Sequence, residues 1–354
     1  MLNHINYNTN NKYEVKIMVE EKVLINVENL KKVYKLKERH DGLIGTIKDF
    51  IVPKYYYKTA VNNINIQIKE GECVGYIGEN GAGKSTTIKM LTGILHPTNG
   101  EVTIDGLIPY KERIKNNFKI GTVFGQRSSL WWDLPVIESF KFNKRLYEIK
   151  DEIYEENMKE YTKVLGIDEL LNIPVRNLSL GQRMKCEIAI AFLHNPKIVY
   201  LDEPTIGLDV LVKEDIRRFI RNVNENKKTT IMLTTHDLKD IEEVCNRIIV
   251  IDKGQILHDG NLMDFVNEFG KNRTIKFIAK KYDEKISEVI ENRQEDISLE
   301  IKDNEIDVTF DKNKLTANDI INIVNNYIDI VDLSIIEPNL ESIVKEIYRS
   351  GKND

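Results

Sequence analysis

The chain predicts an α/β fold with a parallel sheet at its centre and a smaller α+β unit after it, on three observations. The run GECVGYIGENGAGKST joins a β-rich stretch to a glycine-rich loop and then to a pattern of helical spacing. IVYLDEP, at 198 to 204, stays apolar until it ends in two acids, as a buried strand does when it presents carboxylates at its C-terminal end. Past Gly260, short elements follow one another in the order β-α-β-β-α-β.

From the N-terminus, residues 1–22 are Asn-rich and polar, lack the apolar core of a signal peptide, and read as a disordered extension in which Met18 is an alternative start. The first domain spans 23–260. After Tyr34 an insertion occupies 35–58. Within it Leu43, Ile44, Ile47, Phe50 and Ile51 share one helical face, and Pro53 stops the run.

GENGAGKST, at 78 to 86, satisfies G-x-x-x-x-G-K-[ST] with Gly78, Gly83, Lys84 and Ser85. Gly81 and Gly83 leave room for backbone N–H groups to point at phosphate oxygens, and Glu79, Asn80, Ala82 and Thr86 complete the cradle. Lys84 then reaches the β- and γ-phosphates of a nucleotide while Ser85 ligates Mg²⁺. The helix that follows begins where unpaired N–H groups favour anions. In IVYLDEP, Asp202 is placed to hold Mg²⁺, directly or through water, which leaves Glu203 free to polarise an attacking water.

Between these motifs lies a mainly helical stretch, 127–178, that starts SSLWWDLPV and ends at LSLGQ. Ser179 and Gly181 open the next helix, so a hydroxyl and a glycine stand at a second helix N-terminus suited to an anion.

LSLGQRMKCEIAIAFLHNP, directly ahead of IVYLDEP, resembles the signature motif of the ATP-binding cassette (ABC) family. The resemblance implies a P-loop NTPase with a RecA-like core, a helical subdomain at 127–178 and an antiparallel β subdomain. It implies that Ser179, Gly181 and Gln182 of one subunit close over the ATP held by the loop of another, although Leu180 stands where a glycine is frequent. It further implies that Gln126 senses Mg²⁺ and the attacking water, that Asp209 in TIGLD acts across the dimer, and that His236 holds the γ-phosphate and Glu203 in line. Tyr34 or Tyr57 is the aromatic that stacks on adenine. VFGQRSSLWWDLPV with LSLGQR and DEPTIGLDV is similar to a bacterial subfamily of type-two exporter ATPases, grouped with multidrug, viologen-type and sodium exporters. On that likeness a homodimer, or a heterodimer with a similar ATPase, sits on the cytoplasmic face of the cell membrane and drives export through separate permeases. One of Trp131 and Trp132 then faces the permease, with the other in the core. The apolar face of the insertion either packs on its own domain or meets a permease or the membrane interface.

The rest of the chain narrows the class. Its 354 residues leave room for one large and one small domain, and a net charge of −5 gives no polybasic footprint for nucleic acid. Cys73, Cys186 and Cys245 lack C-x-x-C spacing and read as core thiols of a reduced protein. No apolar stretch approaches the roughly 18 residues of a membrane span, so a transport path belongs to other chains. His4, His40, His96, His194 and His258 read as ordinary surface or core histidines. Residues 261–354 read as a ferredoxin-like accessory domain, with a hairpin turn at Asp303-Asn304 and a last helix from Leu340. A dimerising or packing role is the first reading of that domain. The alternative is a ligand-binding regulatory tail, which would make the chain an importer's ATPase, and the last reading is a soluble cassette outside transport.

Overall fold

The computed structural model describes residues 22–38, 54–125, 128–291 and 297–350. Most of the N-terminal extension and the helical face at Leu43 to Ile51 lie outside them, as does Gln126.

A six-stranded sheet forms the centre, in the order β5 (Ile120–Phe124), β6 (Ile198–Asp202), β7 (Thr230–Thr234), β3 (Cys73–Gly78), β8 (Arg247–Asp252) and β9 (Gln255–Asn261). It is parallel except for β9. The inner strands are near-continuous apolar runs because both faces are covered. On one face Val199, Leu201, Ile231 and Leu233 meet the helices α3 (Val136–Leu146), α4 (Asp151–Leu165), α5 (Leu180–Phe192) and α6 (Val210–Lys227). On the other, Tyr76, Tyr200, Met232 and Ile249 meet α1 (Lys84–Leu91) and a three-stranded antiparallel sheet in the order β2 (Tyr55–Lys69), β1 (Val23–Lys37), β4 (Asn99–Ile104). A short α2 (Arg113–Asn117) precedes β5.

The pairing of β1 with β2 runs from Val23 opposite Lys69 out to Lys37 opposite Tyr55. Pairing with β4 stops at Lys31, so the outer end is a two-stranded ribbon. Both ends of the stretch expected as an insertion at 35–58 therefore continue regular strands. Tyr55, Tyr56 and Tyr57 are exposed on this ribbon, which explains why it carries no apolar alternation.

Trp131 and Trp132 correct one expectation, since both are exposed and neither belongs to the core. Trp131 packs on Phe142 with ring centroids 4.7 Å apart, and the Arg183 guanidinium lies 5.5 Å from the Trp132 ring. The surrounding segment is pinned by backbone hydrogen bonds from Val136 to Ile173 and from Arg176 to Trp132.

After α7 (Leu238–Val244) and α8 (Leu262–Phe269), a four-stranded antiparallel sheet takes the order β11 (Ile297–Lys302), β12 (Glu305–Asp311), β10 (Asn272–Tyr282), β13 (Ile328–Ile336). With α9 (Lys285–Glu291) and α10 (Ala317–Val324) this is the split βαβ arrangement of ferredoxin-like units. Phe277, Val308, Phe310 and Ile320 form its own core. Asp303, at φ 52°, and Asn304 make the two-residue turn between β11 and β12. The two ends of the 261–354 stretch behave differently from its middle. Leu262 and Phe265 of α8, and Leu340, Ile343 and Val344 of α11 (Leu340–Ser350), are buried in the cluster beneath the six-stranded sheet. The Leu340 N–H donates to the Glu242 carboxylate on α7, 3.0 Å away. Among the described residues no helix is long and apolar enough to cross a membrane.

Candidate nucleotide-binding site

Strand β3 delivers the chain to Gly78, and six residues later α1 begins. At Gly83 φ is 114°, and a Cβ there would stand 2.5 Å from the Ala60 carbonyl oxygen, so glycine alone fits. Gly78 is pressed as closely, its absent Cβ 2.5 Å from the Ile251 carbonyl oxygen. The sequence thus folds the loop tightly between β2 and β8. Lys84 is buried and its ammonium donates to the carbonyls of Gly78 (2.6 Å) and Glu79 (3.2 Å). Burial lowers its pKa, against the pull of Glu203 and Asp202.

Adjacent parallel strands bring the acids to this loop. Asp202 ends β6 in register with Thr234 at the end of β7, and the Thr234 hydroxyl donates to its carboxylate at 2.7 Å. The Ser85 hydroxyl stands 3.4 Å from the same oxygen. Two hard oxygen donors therefore converge at the loop, which suits Mg²⁺. Glu203 follows with φ 57°, a left-handed conformation of the kind stored at functional sites. Its N–H donates to the Thr234 carbonyl at 3.0 Å. Burial raises its carboxyl pKa, countered by His236 and Lys84. His236 Nε2 lies 3.0 Å from Glu203 Oε1.

A cavity of about 560 Å³ opens over the loop. Tyr34 and Lys58 wall it from the ribbon, Asn80, Gly81, Gly83, Lys84, Ser85 and Thr86 from the loop, and Glu203, Ile206 and His236 from the strand ends. Tyr57 is not among its lining residues and is exposed opposite Lys35. A neighbouring cavity shares Ser85 and Glu203 and adds Asp202 and Gly125.

The second helix start lies elsewhere. Ser179 caps α5, accepting from the Gln182 N–H at 3.2 Å while Gln182 Oε1 accepts from the Ser179 N–H at 2.9 Å. Gly181 packs on Val212 of α6, and Asp209 caps that helix by accepting from the Val212 N–H at 3.0 Å. None of Ser179, Gly181, Gln182 and Asp209 lines the loop cavity.

Sequence reasoning missed the braces behind the acids. Asp240, buried on α7, accepts from Arg217 (2.6 Å), Thr235 (2.9 Å) and Thr205, and so ties the segment after Glu203 to the segment holding His236. These are single polar residues in helical or loop patterns, and only their burial marks them. His194, by contrast, is half-buried, stacked on Tyr147, and lowered by burial to a pKa of about 4. The three cysteines are buried and free.

Residues 61–206 match the family model described as ABC transporter. The chain is 32% identical to the ABC transporter ATP-binding protein NatA of Bacillus subtilis (strain 168), over 57% of this chain and 82% of that one. It is 28% identical to the linearmycin resistance ATP-binding protein LnrL of the same organism, over 82% and 93% respectively. Among solved structures it superposes on the dimeric, post-hydrolysis ATP-binding cassette MJ0796 bound to ADP and Pi with a TM-score of 0.56 and 28% identity, covering 68% of this chain and 99% of that one.

Proposed function

Since this chain belongs to the ABC transporter family as an ATP-binding and ATP-hydrolysing subunit, we propose that it couples ATP-driven dimerisation to export through separate permease chains. ATP and Mg²⁺ are its cofactors. One observation carries the dimer: the α5 start and Asp209 lie off the cavity of their own phosphate loop, so a second copy, or a similar ATPase, must supply them. The dimeric MJ0796 cassette supports the same arrangement.

In the proposed site the backbone of Gly78 to Thr86 cradles the phosphates, and Lys84 turns from the Gly78 and Glu79 carbonyls to the β- and γ-phosphates. Ser85 and Asp202, with Gln126 on the strength of its motif, would hold Mg²⁺, which when bound would neutralise phosphate charge. Glu203 takes the proton of the attacking water, and a raised carboxyl pKa suits a base working near neutrality. His236 fixes the Glu203 carboxylate from 3.0 Å. Tyr34 is the adenine platform because it walls the cavity and Tyr57 does not. From the other subunit, Ser179, Gly181, Gln182 and Asp209 close the site.

Export is supported by the motif likeness at VFGQRSSLWWDLPV and by similarity to a resistance ATP-binding protein along 93% of that protein's length. The subunit then works peripherally at the cytoplasmic face of the membrane. Trp131 and Trp132, both exposed, form the permease contact. Replacing the pair by alanine should weaken permease assembly by about thirtyfold or more while moving the melting temperature little, because neither ring is buried. Pull-down with the permeases, paired with a melting curve, checks this. The ferredoxin-like unit takes a packing or dimerising role.

The test of the whole reading is Glu203→Gln. Turnover should fall by about 10²–10⁴-fold, with ATP binding intact and a dimer on size exclusion in ATP and Mg²⁺. A monomer under those conditions, or near-normal hydrolysis, overturns it.

A further inference from the structure

Lys58 sits directly opposite Tyr34 in the β1–β2 register, so both side chains leave the same face of the ribbon, and both wall the cavity over the phosphate loop. Lys58 is exposed, and no ion pair with a carboxylate is seen for it among the described residues. Two residues further along β2, Ala60 marks the contact with the loop, its carbonyl oxygen 2.5 Å from the missing Cβ of Gly83. Two strand residues span about 6.8 Å, which is within the reach of an extended lysine side chain. The charges around the cavity divide accordingly. Of the charged lining residues, Lys84, Glu203 and His236 belong to the loop and the strand ends, where the terminal phosphates belong, and Lys58 to the ribbon beside Tyr34, where the Lys32 ammonium also lies 5.4 Å from the Tyr34 ring. A nucleotide laid between them brings its first phosphate group past Lys58.

We propose that Lys58 is a nucleotide-binding residue that holds the α-phosphate of the bound nucleotide. The inference rests on reading this cavity as the nucleotide site. A lysine binds phosphate as a point charge, and on the rim of an open cavity its contribution is screened by salt. Its contact is common to ATP, ADP and AMP, whereas that of Lys84 requires the outer phosphates.

The experiment is calorimetric titration of the full-length chain with ATP, ADP, AMP and adenosine, for the wild type, Lys58→Met, Lys58→Arg and Lys84→Ala. Lys58→Met should weaken ATP and ADP to the same degree, about five- to tenfold, with a flatter salt dependence, and Lys58→Arg should recover most of the loss. Adenosine should bind both proteins alike, and a melting curve should show Lys58→Met folded, as its exposed position on the ribbon implies. Unchanged ATP affinity in Lys58→Met, or a loss confined to ATP, overturns the assignment. If Lys84→Ala also binds ATP like the wild type, the reading of the cavity falls. If Lys84→Ala is impaired and Lys58→Met is not, the cavity stands and only the role of Lys58 fails.

Discussion

The helices that begin at Lys84 and Leu180 each start beside a glycine and a hydroxyl residue, yet their first turns are occupied differently. At α1 the cap residue is Gly83, with φ 114° and no side-chain hydrogen bond to the helix end. At α5 the cap is Ser179, and a capping box with Gln182 already satisfies two backbone N–H groups. A bare helix end with a left-handed glycine is an anion site in waiting; a self-capped one has fewer donors left to offer. The difference favours the proposed reading, in which α1 takes the nucleotide and α5 adds its remaining donors once a partner has bound ATP.

Glycine substitution breaks that comparison most severely. Gly83→Ala places a Cβ against the Ala60 carbonyl in a backbone region costing about 1–3 kcal/mol, so ATP affinity of the isolated subunit should fall at least about tenfold. Gly181→Ala meets only the Val212 side chain, at 3.0 Å, and should leave that affinity unchanged. Equilibrium binding of ATP reads both, and equal losses would erase the distinction.

Ser179→Ala is the next largest. Loss of the cap costs about 1 kcal/mol of stability, which in a chain of 354 residues lowers the melting temperature by about 1–2 °C. ATP affinity of the separate subunit should hold, while ATP-driven association weakens. Should the separate subunit lose affinity, α5 would be acting within its own chain.

A smaller, pH-dependent effect sharpens the picture at the catalytic end. Burial raises the Glu203 carboxyl above its ordinary value of 4.5, so the folded protein binds that proton more tightly than the unfolded chain. Stability from this group is therefore greatest below the ordinary value, and is lost as pH rises towards and through the raised folded pKa. Glu203→Gln removes the penalty, so its stability advantage over wild type should grow from pH 4 to pH 7 in denaturant melts. An advantage that shrinks over that range would reverse the assigned direction.

The parts that were legible in the sequence are those in which neighbours along the chain do the work. The phosphate loop, the acids of IVYLDEP and the Asp303-Asn304 turn each carry their geometry in consecutive residues. What was hidden depends on register between distant segments. Thr234 meets Asp202 only because β7 lies beside β6, and Asp240 joins Arg217 to Thr205 across three elements. That the two ends of the 35–58 stretch form a ribbon is not legible in the sequence, because a two-stranded element exposed on both faces has no apolar alternation to betray it. Exposure of both tryptophans was likewise beyond reach, since composition does not say which aromatic finds a core.

The return of α11 to the six-stranded sheet changes what the ferredoxin-like unit does for the rest of the molecule. The unit leaves at Gly270 and comes back at Pro338, and the missing Cβ of Gly270 would lie 3.1 Å from both Pro338 and Ile343. Without a folded unit, docking α11 would require closing a flexible loop of about seventy residues, against only a few if its ends are already held together. By chain-closure entropy that difference is about 3 kcal/mol. The small sheet thus acts at a distance as an entropic clasp: its own folding lowers the entropy lost when the last helix seals the core behind α7, and melting of the sheet would loosen the wall on which the segment carrying His236 is mounted.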